Sequence, residues 1–297
     1  MNPITKVTGA LAAIARHPLS RQNKLKAVLR YGFVQVAARL VPGDVCVEFP
    51  NKTCLLVSPK MKGAAHYIMP RLCEFNEMAF VMHFLRPGRT FADVGANIGA
   101  FTVLAAGVAR AQVVAFEASP DTVQMLARNV RLNGLQDRVK IVHAAAGKNE
   151  GTVQFSVGLG TENRVNLQKE GNGSVTVKMT TLDVELAQTP PNLLKVDVEG
   201  FETQVFAGAG KILTDPKLQA IIVERSGLGS GYGFDEVALH QEIRRQGFVA
   251  CNYEPFARQL FEVGENVRGN IIYIRNLTAA GELVRTAPAF TLDHLTV

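Results

Sequence analysis

The sequence predicts an α/β protein: a doubly wound, mostly parallel sheet of seven strands with an N-terminal helical and hairpin extension. Three observations lead to this fold class. Apolar strand segments alternate regularly with helical segments from residue 91 onward, and such alternation places parallel strands between two layers of helices. A glycine-punctuated turn follows the first of these strands, and a hairpin pattern comes before it. The 297 residues suffice for one large domain with an extension.

Seven strand segments can be placed in order. Five alternate with helices and are expected to be parallel, namely 91–94, 112–117, 139–145, 192–198 and 219–224. Two late segments, FVACNY and NIIYIR, complete the set, and the last is expected to be antiparallel because only a short connection precedes it. Ser119 and Pro120 mark the start of the helix after the second strand, and Asn133-Gly134 marks its end.

The chain divides into three predicted regions. Residues 1–66 form a basic helical and hairpin extension, residues 67–277 the main domain, and residues 278–297 a C-terminal tail. Apolar residues at helical spacing predict an amphipathic helix over 22–40. DVCVEF and TCLLVS on either side of PNK predict a hairpin at 44–58. Within the main domain, residues 150–182 predict extra strands around a polar loop.

All of the formal net charge of +6 comes from the N-terminal arm. Residues 1–43 contain seven Lys or Arg and no acid, whereas the remainder has 25 basic and 26 acidic residues. Such an arm suits peripheral contact with an anionic surface, for example phosphates, acidic glycans or a membrane leaflet. A solvated helix face is the plain alternative. The arm has no recognisable nucleic-acid-binding module, so no nucleic-acid partner is expected.

Composition excludes several classes of protein. A hydrophobic content of 47% with 20% charged residues is typical of a globular protein. No apolar run reaches the ~18 residues that span a bilayer. The four cysteines form no C-x-x-C pair, so neither a disulfide framework nor a zinc site is expected. Reduced thiols of this kind fit a cytoplasmic location.

The first strand of the main domain runs into the sequence DVGANIG, which has the form D-x-G-x-N-x-G. Glycines allow a sharp turn and bring backbone N–H groups close to a ligand. Asp93 precedes the first glycine, and an acid there would repel a pyrophosphate. S-adenosylmethionine has a sulfonium and an ammonium but no phosphate, so it fits this loop better. Glu117, which ends the second strand, is placed to bind ribose hydroxyls.

Two alternatives from other classes stay open at this point. An NAD-dependent oxidoreductase also places an acid at the end of the second strand, but its glycine spacing is G-x-G-x-x-G. A non-catalytic partner protein would keep the fold and the cofactor and use the basic arm to dock. The loop alone could also be an ordinary tight turn between a strand and a helix.

Longer motifs carry a resemblance to a known family. The loop FADVGANIG, the segment AFEASP, TTLD at 180–183, and above all LLKVDVEGFE at 193–202 resemble the FkbM family of S-adenosylmethionine-dependent methyltransferases. The resemblance covers about residues 67–275. It implies a Rossmann-like class I methyltransferase fold, S-adenosylmethionine as the cofactor, and O-methylation of a hydroxyl of a sugar, glycan or related natural product. A homo-oligomer is possible in such a family.

The resemblance also implies roles for individual residues. The residues implied to bind the cofactor are Asp93, Gly95, Ala96, Asn97 and Gly99 at its methionine end, Glu117 at the ribose, Ala118 and Ala145 at the adenine, and Asp197 beside the methyl group. Asp197, Glu199 and Glu224 are the predicted catalytic residues. Asp197 leads as the base for the acceptor hydroxyl, although it could equally orient the cofactor's ammonium.

A metal-assisted route is the remaining alternative. Asp197 and Glu224 end adjacent strands and could bind Mg²⁺. The segment RSGLGSG after the fifth strand lacks the further acid or amide pair that such a site would want. The prediction is therefore a site without a metal. Arg164, within the polar loop, is a candidate contact for the acceptor, or else a solvated arginine.

Overall fold

The computed structural model describes residues 43–59, 61, 63–68, 71–158, 163–166, 173–264, 267–292 and 295–297, together with scattered positions between 17 and 40. The helix predicted over residues 22–40 lies mostly outside these residues. Its described positions, among them Leu25, Phe33 and Leu40, are helical. Much of the polar loop between residues 157 and 172 also lies outside them.

The strands and helices follow one another closely along the chain. In chain order the strands are β1 (Val45–Glu48), β2 (Cys54–Val57), β3 (Thr90–Val94), β4 (Gln112–Phe116), β5 (Val139–Val142), β6 (Ala145–Ala146), β7 (Gly151–Ser156), β8 (Val165–Asn166), β9 (Ser174–Thr180), β10 (Leu193–Val196), β11 (Ala220–Arg225), β12 (Val249–Glu254), β13 (Gln259–Glu262), β14 (Gly269–Ile274), β15 (Thr291–Leu292) and β16 (Leu295–Thr296). The α-helices are α1 (Ala64–Ile68), α2 (Phe75–Phe84), α3 (Ala100–Val103), α4 (Pro120–Leu132), α5 (Leu182–Glu185), α6 (Glu202–Ala207), α7 (Gly210–Thr214), α8 (Glu236–Arg245) and α9 (Leu277–Arg285).

A large mixed sheet of eight strands makes this an α/β protein. Its strand order is β13-β12-β14-β11-β10-β3-β4-β5. The five strands from β11 to β5 are parallel, and β14 runs antiparallel to β11, as the sequence predicts for the last strand of the set. The predicted count of seven is one short, because β13 is mostly exposed and therefore has no apolar pattern.

Alternate side chains of the parallel strands enter two separate apolar clusters, one on each face. Phe91 and Val113 belong to the cluster that also contains α2 and the hairpin. Ala92 and Val114, their immediate neighbours in sequence, belong to the second cluster. This follows from the two-residue repeat of a strand. Because both faces are covered, functional groups reach solvent mainly at the strand ends.

The predicted hairpin is present as β1 and β2, and two asparagines hold it in place, one within α4 and one directly after it. The side-chain oxygen of Asn129 accepts the Leu56 N–H at 2.6 Å, and its amide nitrogen donates to the Leu56 carbonyl at 3.1 Å. Asn133 makes the same pair of bonds with Cys54, at 2.8 and 2.7 Å. Asn129 also donates to the Ile98 carbonyl at 2.8 Å, which links the hairpin to the glycine loop.

The segment between 145 and 180 forms a second sheet in the order β6-β9-β7-β8, in agreement with the extra strands predicted there. At the C-terminus, α9 packs beside α2, and Phe290 and Val297 are buried in the core of the first face. The segment predicted as a tail thus closes part of the core. Among the described residues, no helix is long and apolar enough to cross a membrane.

Candidate functional site

The site begins at the loop between β3 and α3. Asp93, the fourth residue of β3, is 1% exposed, and one of its carboxylate oxygens accepts the Thr102 hydroxyl at 2.7 Å. The other oxygen, Oδ1, is buried and has no hydrogen-bond partner. Burial raises the pKa of Asp93, although the nearby Lys195 ammonium opposes the shift. A buried acceptor without a partner is costly and is suited to bind a cationic or N–H-bearing ligand.

The loop needs its first glycine because another backbone segment lies against it. Gly95 has a φ of +82°, and a Cβ at this position would come within 1.9 Å of the Asp197 carbonyl oxygen. The Gly95 and Ala96 N–H groups donate to the Phe116 carbonyl at 3.1 and 2.9 Å. The loop is thereby fixed to the ends of β4 and β10. Gly99, with a φ of +93°, immediately precedes α3, and a Cβ there would come within 2.6 Å of Leu126.

Glu117 follows β4 and is held by backbone N–H groups. Its carboxylate accepts the Asn97 N–H and the Ser119 N–H, each at 2.8 Å. Asn97 has a left-handed φ of 53°, and its side chain accepts the Ile98 N–H. Burial raises the pKa of Glu117 to about 7, although these N–H groups oppose the shift. Each carboxylate oxygen keeps a further acceptor position, so Glu117 is oriented and can still bind hydroxyls.

Lys195 lies at the centre of the acids. It is the register partner of Asp93 across β10 and β3, and its ammonium donates to Asp197 at 2.7 Å and lies 4.6 Å from the centre of the Phe101 ring. Burial alone would lower the pKa of Lys195. The surrounding carboxylates, Asp197 first and then Glu74, outweigh this effect and raise it. The lysine is therefore a permanent buried cation.

The turn after β10 contains the residues of the D-V-E-G-x-E motif. Glu199 and Gly200 have left-handed φ values of 56° and 97°, and a Cβ on Gly200 would come within 2.8 Å of the Leu228 backbone. The buried Glu202 accepts the Val198 and Gly200 N–H groups at 3.0 and 3.2 Å. Glu202 thus holds the turn that presents Asp197 and Glu199.

Two further carboxyl groups lie on the β11 side of this turn. Burial and then the charge of Asp197 raise the pKa of Glu224, on β11, to about 8. Glu74, which immediately precedes α2, accepts the side-chain amide of Asn270 at 2.6 Å, and Asn270 is the register partner of Glu224. Burial raises the pKa of Glu74 to about 7 against the opposing charge of Lys195. Both groups are therefore partly protonated near neutral pH.

Most of these residues line one cavity of about 350 Å³ at the ends of the strands. On the side of β4, its walls include Gly95, Asn97, Glu117, Ala118 and Ala145; this is called the β4 side below. On the side of β11, they include Tyr67, Glu74, Glu199 and Glu224, called the β11 side. Asp197 and Lys195 lie between the two sides, because β10 lies between β3 and β11.

An apolar cluster closes the β4 side. Phe155 on β7, Val165 on β8 and Phe201 pack with Ala118 and Ala145. Small alanines beside larger apolar groups leave a slot with apolar walls, which suits a flat heterocycle. Asn163 also lines the cavity. Arg164 beside it bonds Ser156 through its backbone: its N–H donates to the Ser156 hydroxyl oxygen at 2.8 Å, and its carbonyl accepts the Ser156 hydroxyl at 3.1 Å.

The cavity wall contains all of the predicted catalytic and cofactor-binding residues except Gly99 and the buried Asp93, and it does not contain Arg164, the candidate contact for the acceptor. Its chemistry fits S-adenosylmethionine. Glu117 has free acceptor positions for ribose hydroxyls, the alanine slot is apolar, and the partly exposed Asp197 carboxylate in the cavity wall suits a positive group. Within the described part of the chain, no group of three or more His, Cys, Asp or Glu is arranged to hold a metal ion.

Comparison with known proteins agrees with this chemistry. The fold and the site place the protein in the class of S-adenosylmethionine-dependent methyltransferases. The family described as Methyltransferase FkbM domain matches residues 93–250, more than half of the chain. The chain belongs to this FkbM methyltransferase family, which confirms the family and the cofactor that the sequence predicts.

One curated relative and several solved structures are similar. The hexuronic acid methyltransferase AglP of Haloferax volcanii is 32% identical over 135 residues, which cover 44% of this chain and 54% of AglP. The chain thus matches about half the length of that relative. An S-adenosylmethionine-dependent methyltransferase of Agrobacterium tumefaciens is 12% identical, with a TM-score of 0.45 over 80% of this chain and 72% of that one. The C-terminal domain of a Rhodobacter capsulatus precorrin-6Y methyltransferase is 16% identical, with a TM-score of 0.40 over 68% and 87%.

Sequence reasoning missed two charged residues of the cavity wall, Lys195 and Glu74. Lys195 is the lysine of LLKVDVEG. A charged residue inside an apolar strand is rarely buried without a partner, so this lysine could have been predicted to pair with a nearby acid. Glu74 lies about twenty residues before Asp93, in a segment that reads as an ordinary helix start. No local pattern reveals that Glu74 bonds Asn270 across the sheet, so only the fold reveals this contact.

Proposed function

We propose that the protein transfers a methyl group from S-adenosylmethionine to a hydroxyl of a sugar, glycan or related natural product. The observation that carries this proposal is the division of one cavity into two sides. The β4 side offers an oriented Glu117 and an apolar slot, and the β11 side offers two carboxyl groups with raised pKa values. The relative AglP, a hexuronic acid methyltransferase by name, supports a sugar acceptor.

The β4 side would hold the cofactor. Glu117 would bind the ribose hydroxyls, Ala118 and Ala145 would border the adenine, and the loop from Gly95 to Gly99 would follow the methionine portion, with Ala96 and Asn97 at its surface. Asp197 in the cavity wall would face its positive groups, and the buried Asp93 would add negative charge behind the loop. When bound, S-adenosylmethionine supplies an electrophilic methyl group on a sulfonium. We also propose that the α/β fold is the doubly wound class I methyltransferase fold.

The β11 side would hold the acceptor. A sugar hydroxyl is a weak nucleophile until a base takes its proton. Glu224 is the stronger candidate for this base, because a pKa of about 8 lies close to a neutral working pH. Asp197 already binds the Lys195 ammonium at 2.7 Å. It is therefore better suited to orient the positive groups of the cofactor than to take a proton. Glu199, on the strained turn beside them, would contact the acceptor.

The acids of the β11 side also bear on the acceptor's charge. A partly protonated carboxyl group can both donate and accept, which matches sugar hydroxyls. A carboxylate on the acceptor would be repelled by Glu74 and Glu224. A hexuronic acid would therefore fit this side through its hydroxyls, with its own carboxylate turned away.

The experiment that tests this proposal measures S-adenosylhomocysteine release in two stages. Calorimetry first establishes whether S-adenosylmethionine binds at micromolar concentrations. A panel of neutral glycosides, sugar nucleotides, glycolipids and matched uronides is then screened for turnover. Methyl transfer to an oxygen, located by mass spectrometry and NMR of the product, is the expected result. Binding without turnover on the panel would favour a non-catalytic partner protein, and nicotinamide binding would favour an oxidoreductase.

We also propose four further properties that the sequence predicts. These are the three regions at 1–66, 67–277 and 278–297, a cytoplasmic location, a possible homo-oligomer, and contact of the basic N-terminal arm with an anionic surface. Size-exclusion chromatography with light scattering measures the oligomeric state, and expression of residues 67–297 alone tests whether the extension is separable from the main domain.

A further inference from the structure

We propose that the N-terminal segment docks the protein on an anionic lipid bilayer through an exposed apolar stripe. The stripe consists of helical positions whose side chains are 44% to 76% exposed: Leu25, Val28, Leu29, Phe33, Val36 and Leu40. This docking does not depend on the proposed reaction.

The spacing of the stripe places it on one side of a helix. Leu25, Leu29, Phe33, Val36 and Leu40 follow one another by three or four residues, which is the repeat of a single helix face. A contiguous exposed apolar surface of this kind marks a contact with another molecule or a membrane. Leu25 and Leu40 are fifteen positions apart, which corresponds to roughly 22 Å along a helix axis at about 1.5 Å per residue, so the stripe can lie along a surface but cannot cross a bilayer.

Charge decides which occupant fits the stripe. Residues 1–43 carry seven Lys or Arg and no acid, and the rest of the chain has one more acid than base. A second copy of the same segment would place two strongly basic arms together, and they would repel each other. An anionic bilayer offers an apolar interior for the stripe and a negative surface for the cations.

Contacts on both sides of the stripe connect it to the folded domain. Before it, the His17 ring bonds the Leu72 carbonyl at 2.9 Å and Leu19 packs against the core. After it comes the hairpin of β1 and β2, which α4 holds. Leu72 directly precedes Cys73 and Glu74, two residues of the cavity wall. Docking through the stripe would therefore keep the cavity close to the bilayer, where a lipid-anchored acceptor would lie.

Vesicle sedimentation of the full chain tests this proposal. Wild-type protein should pellet with vesicles of phosphatidylcholine plus phosphatidylglycerol, pellet weakly with phosphatidylcholine alone, and be released by high salt. The double variant Leu29→Glu, Phe33→Glu and the triple variant Lys24→Glu, Lys26→Glu, Arg30→Glu should each bind about tenfold more weakly or worse. Val184→Glu introduces one carboxylate at another exposed apolar position of a helix and should bind like wild type.

Other outcomes overturn the proposal. They are absence of binding to anionic vesicles, equal binding to both lipids, or wild-type binding by the double variant. A wild-type dimer that the double variant loses, in a protein that ignores vesicles, would assign the stripe to a second copy. S-adenosylmethionine affinity of each variant reports folding separately. A wild-type chain that binds vesicles but not S-adenosylmethionine would refute the proposed function and leave this docking intact.

Discussion

Burial raises the pKa of carboxyl groups on both sides of the cavity, but the groups that surround these carboxyls differ. On the β4 side, Glu117 accepts two backbone N–H groups and is fixed in one orientation. On the β11 side, Glu224 has three carboxylates near it, which add to its burial in raising its pKa to about 8. A carboxylate oriented by the backbone suits tight and invariant recognition, as a cofactor requires. A carboxyl group whose charge is unfavourable suits proton transfer and variable recognition, as an acceptor requires.

The largest effect is expected from a substitution in the glycine loop, which forms part of the β4 side. Gly95→Ala would force a Cβ to within 1.9 Å of the Asp197 carbonyl oxygen, so the loop or the turn after β10 must shift. We expect about 100-fold weaker binding of S-adenosylmethionine, because loss of hydrogen-bond alignment at the loop costs up to about 3 kcal/mol, which is about 100-fold in affinity. Isothermal titration calorimetry measures the affinity.

Gly88→Ala is the matched control for Gly95→Ala. Gly88 has nearly the same φ, +83°, but an added Cβ would meet nothing within 4 Å. This variant bears the same backbone strain without the clash and should bind the cofactor like wild type. Equal losses in both variants would show that backbone strain, and not the contact with Asp197, accounts for the effect.

The sequence predicts the local features of the site and misses a contact between residues that are distant in the chain. The glycine loop, Glu117 and the D-V-E-G turn are local features. Each occupies a few consecutive residues at a strand end, so each can be recognised in the sequence. The sheet was predicted nearly completely, because buried parallel strands leave apolar runs, and β13 was missed because it is exposed. The contact between Glu74 and Asn270 joins residues 196 apart in sequence. Only the folded sheet brings such residues together, so periodicity and motifs do not reveal them.

The second prediction separates chemistry from binding. Glu224→Gln removes the proposed base and should lower kcat by about 100-fold with the acceptor identified in the screen, while the affinity for S-adenosylmethionine stays unchanged. The wild-type rate should rise with pH through about 8, the pKa of Glu224, and this limb should disappear in the variant. A variant that keeps both its rate and its pH profile would exclude Glu224 as the base.

The third prediction tests the β4 side by a smaller change. Glu117→Gln preserves shape but turns an amide N–H₂ toward one of two backbone N–H groups, Asn97 or Ser119. The side chain loses its orientation and its charge-assisted bonds to ribose hydroxyls. We expect about tenfold weaker cofactor binding, with kcat at saturating cofactor changed much less. Unaltered affinity would contradict the ribose assignment.

The smallest expected effect concerns stability. The folded pKa of Glu224, about 8, lies above its ordinary value of 4.5, so the native state binds a proton between these pH values that the unfolded state has released. Stability from this group is therefore present at low pH and is lost as pH rises to about 8. Glu224→Gln should raise the melting temperature of the ligand-free protein by about 3 °C at pH 9 and leave it nearly unchanged at pH 5. Thermal melts of the two proteins at both pH values measure the difference.

The most direct test of the two-sided cavity is calorimetric titration of S-adenosylmethionine into wild type, Glu117→Gln and Glu224→Gln under identical conditions. We predict micromolar binding by wild type, clearly weaker binding by Glu117→Gln, and wild-type affinity for Glu224→Gln. Weaker binding by Glu224→Gln together with unchanged binding by Glu117→Gln would place the cofactor on the β11 side and contradict the proposed assignment. Absence of binding by wild type would contradict the proposal as a whole.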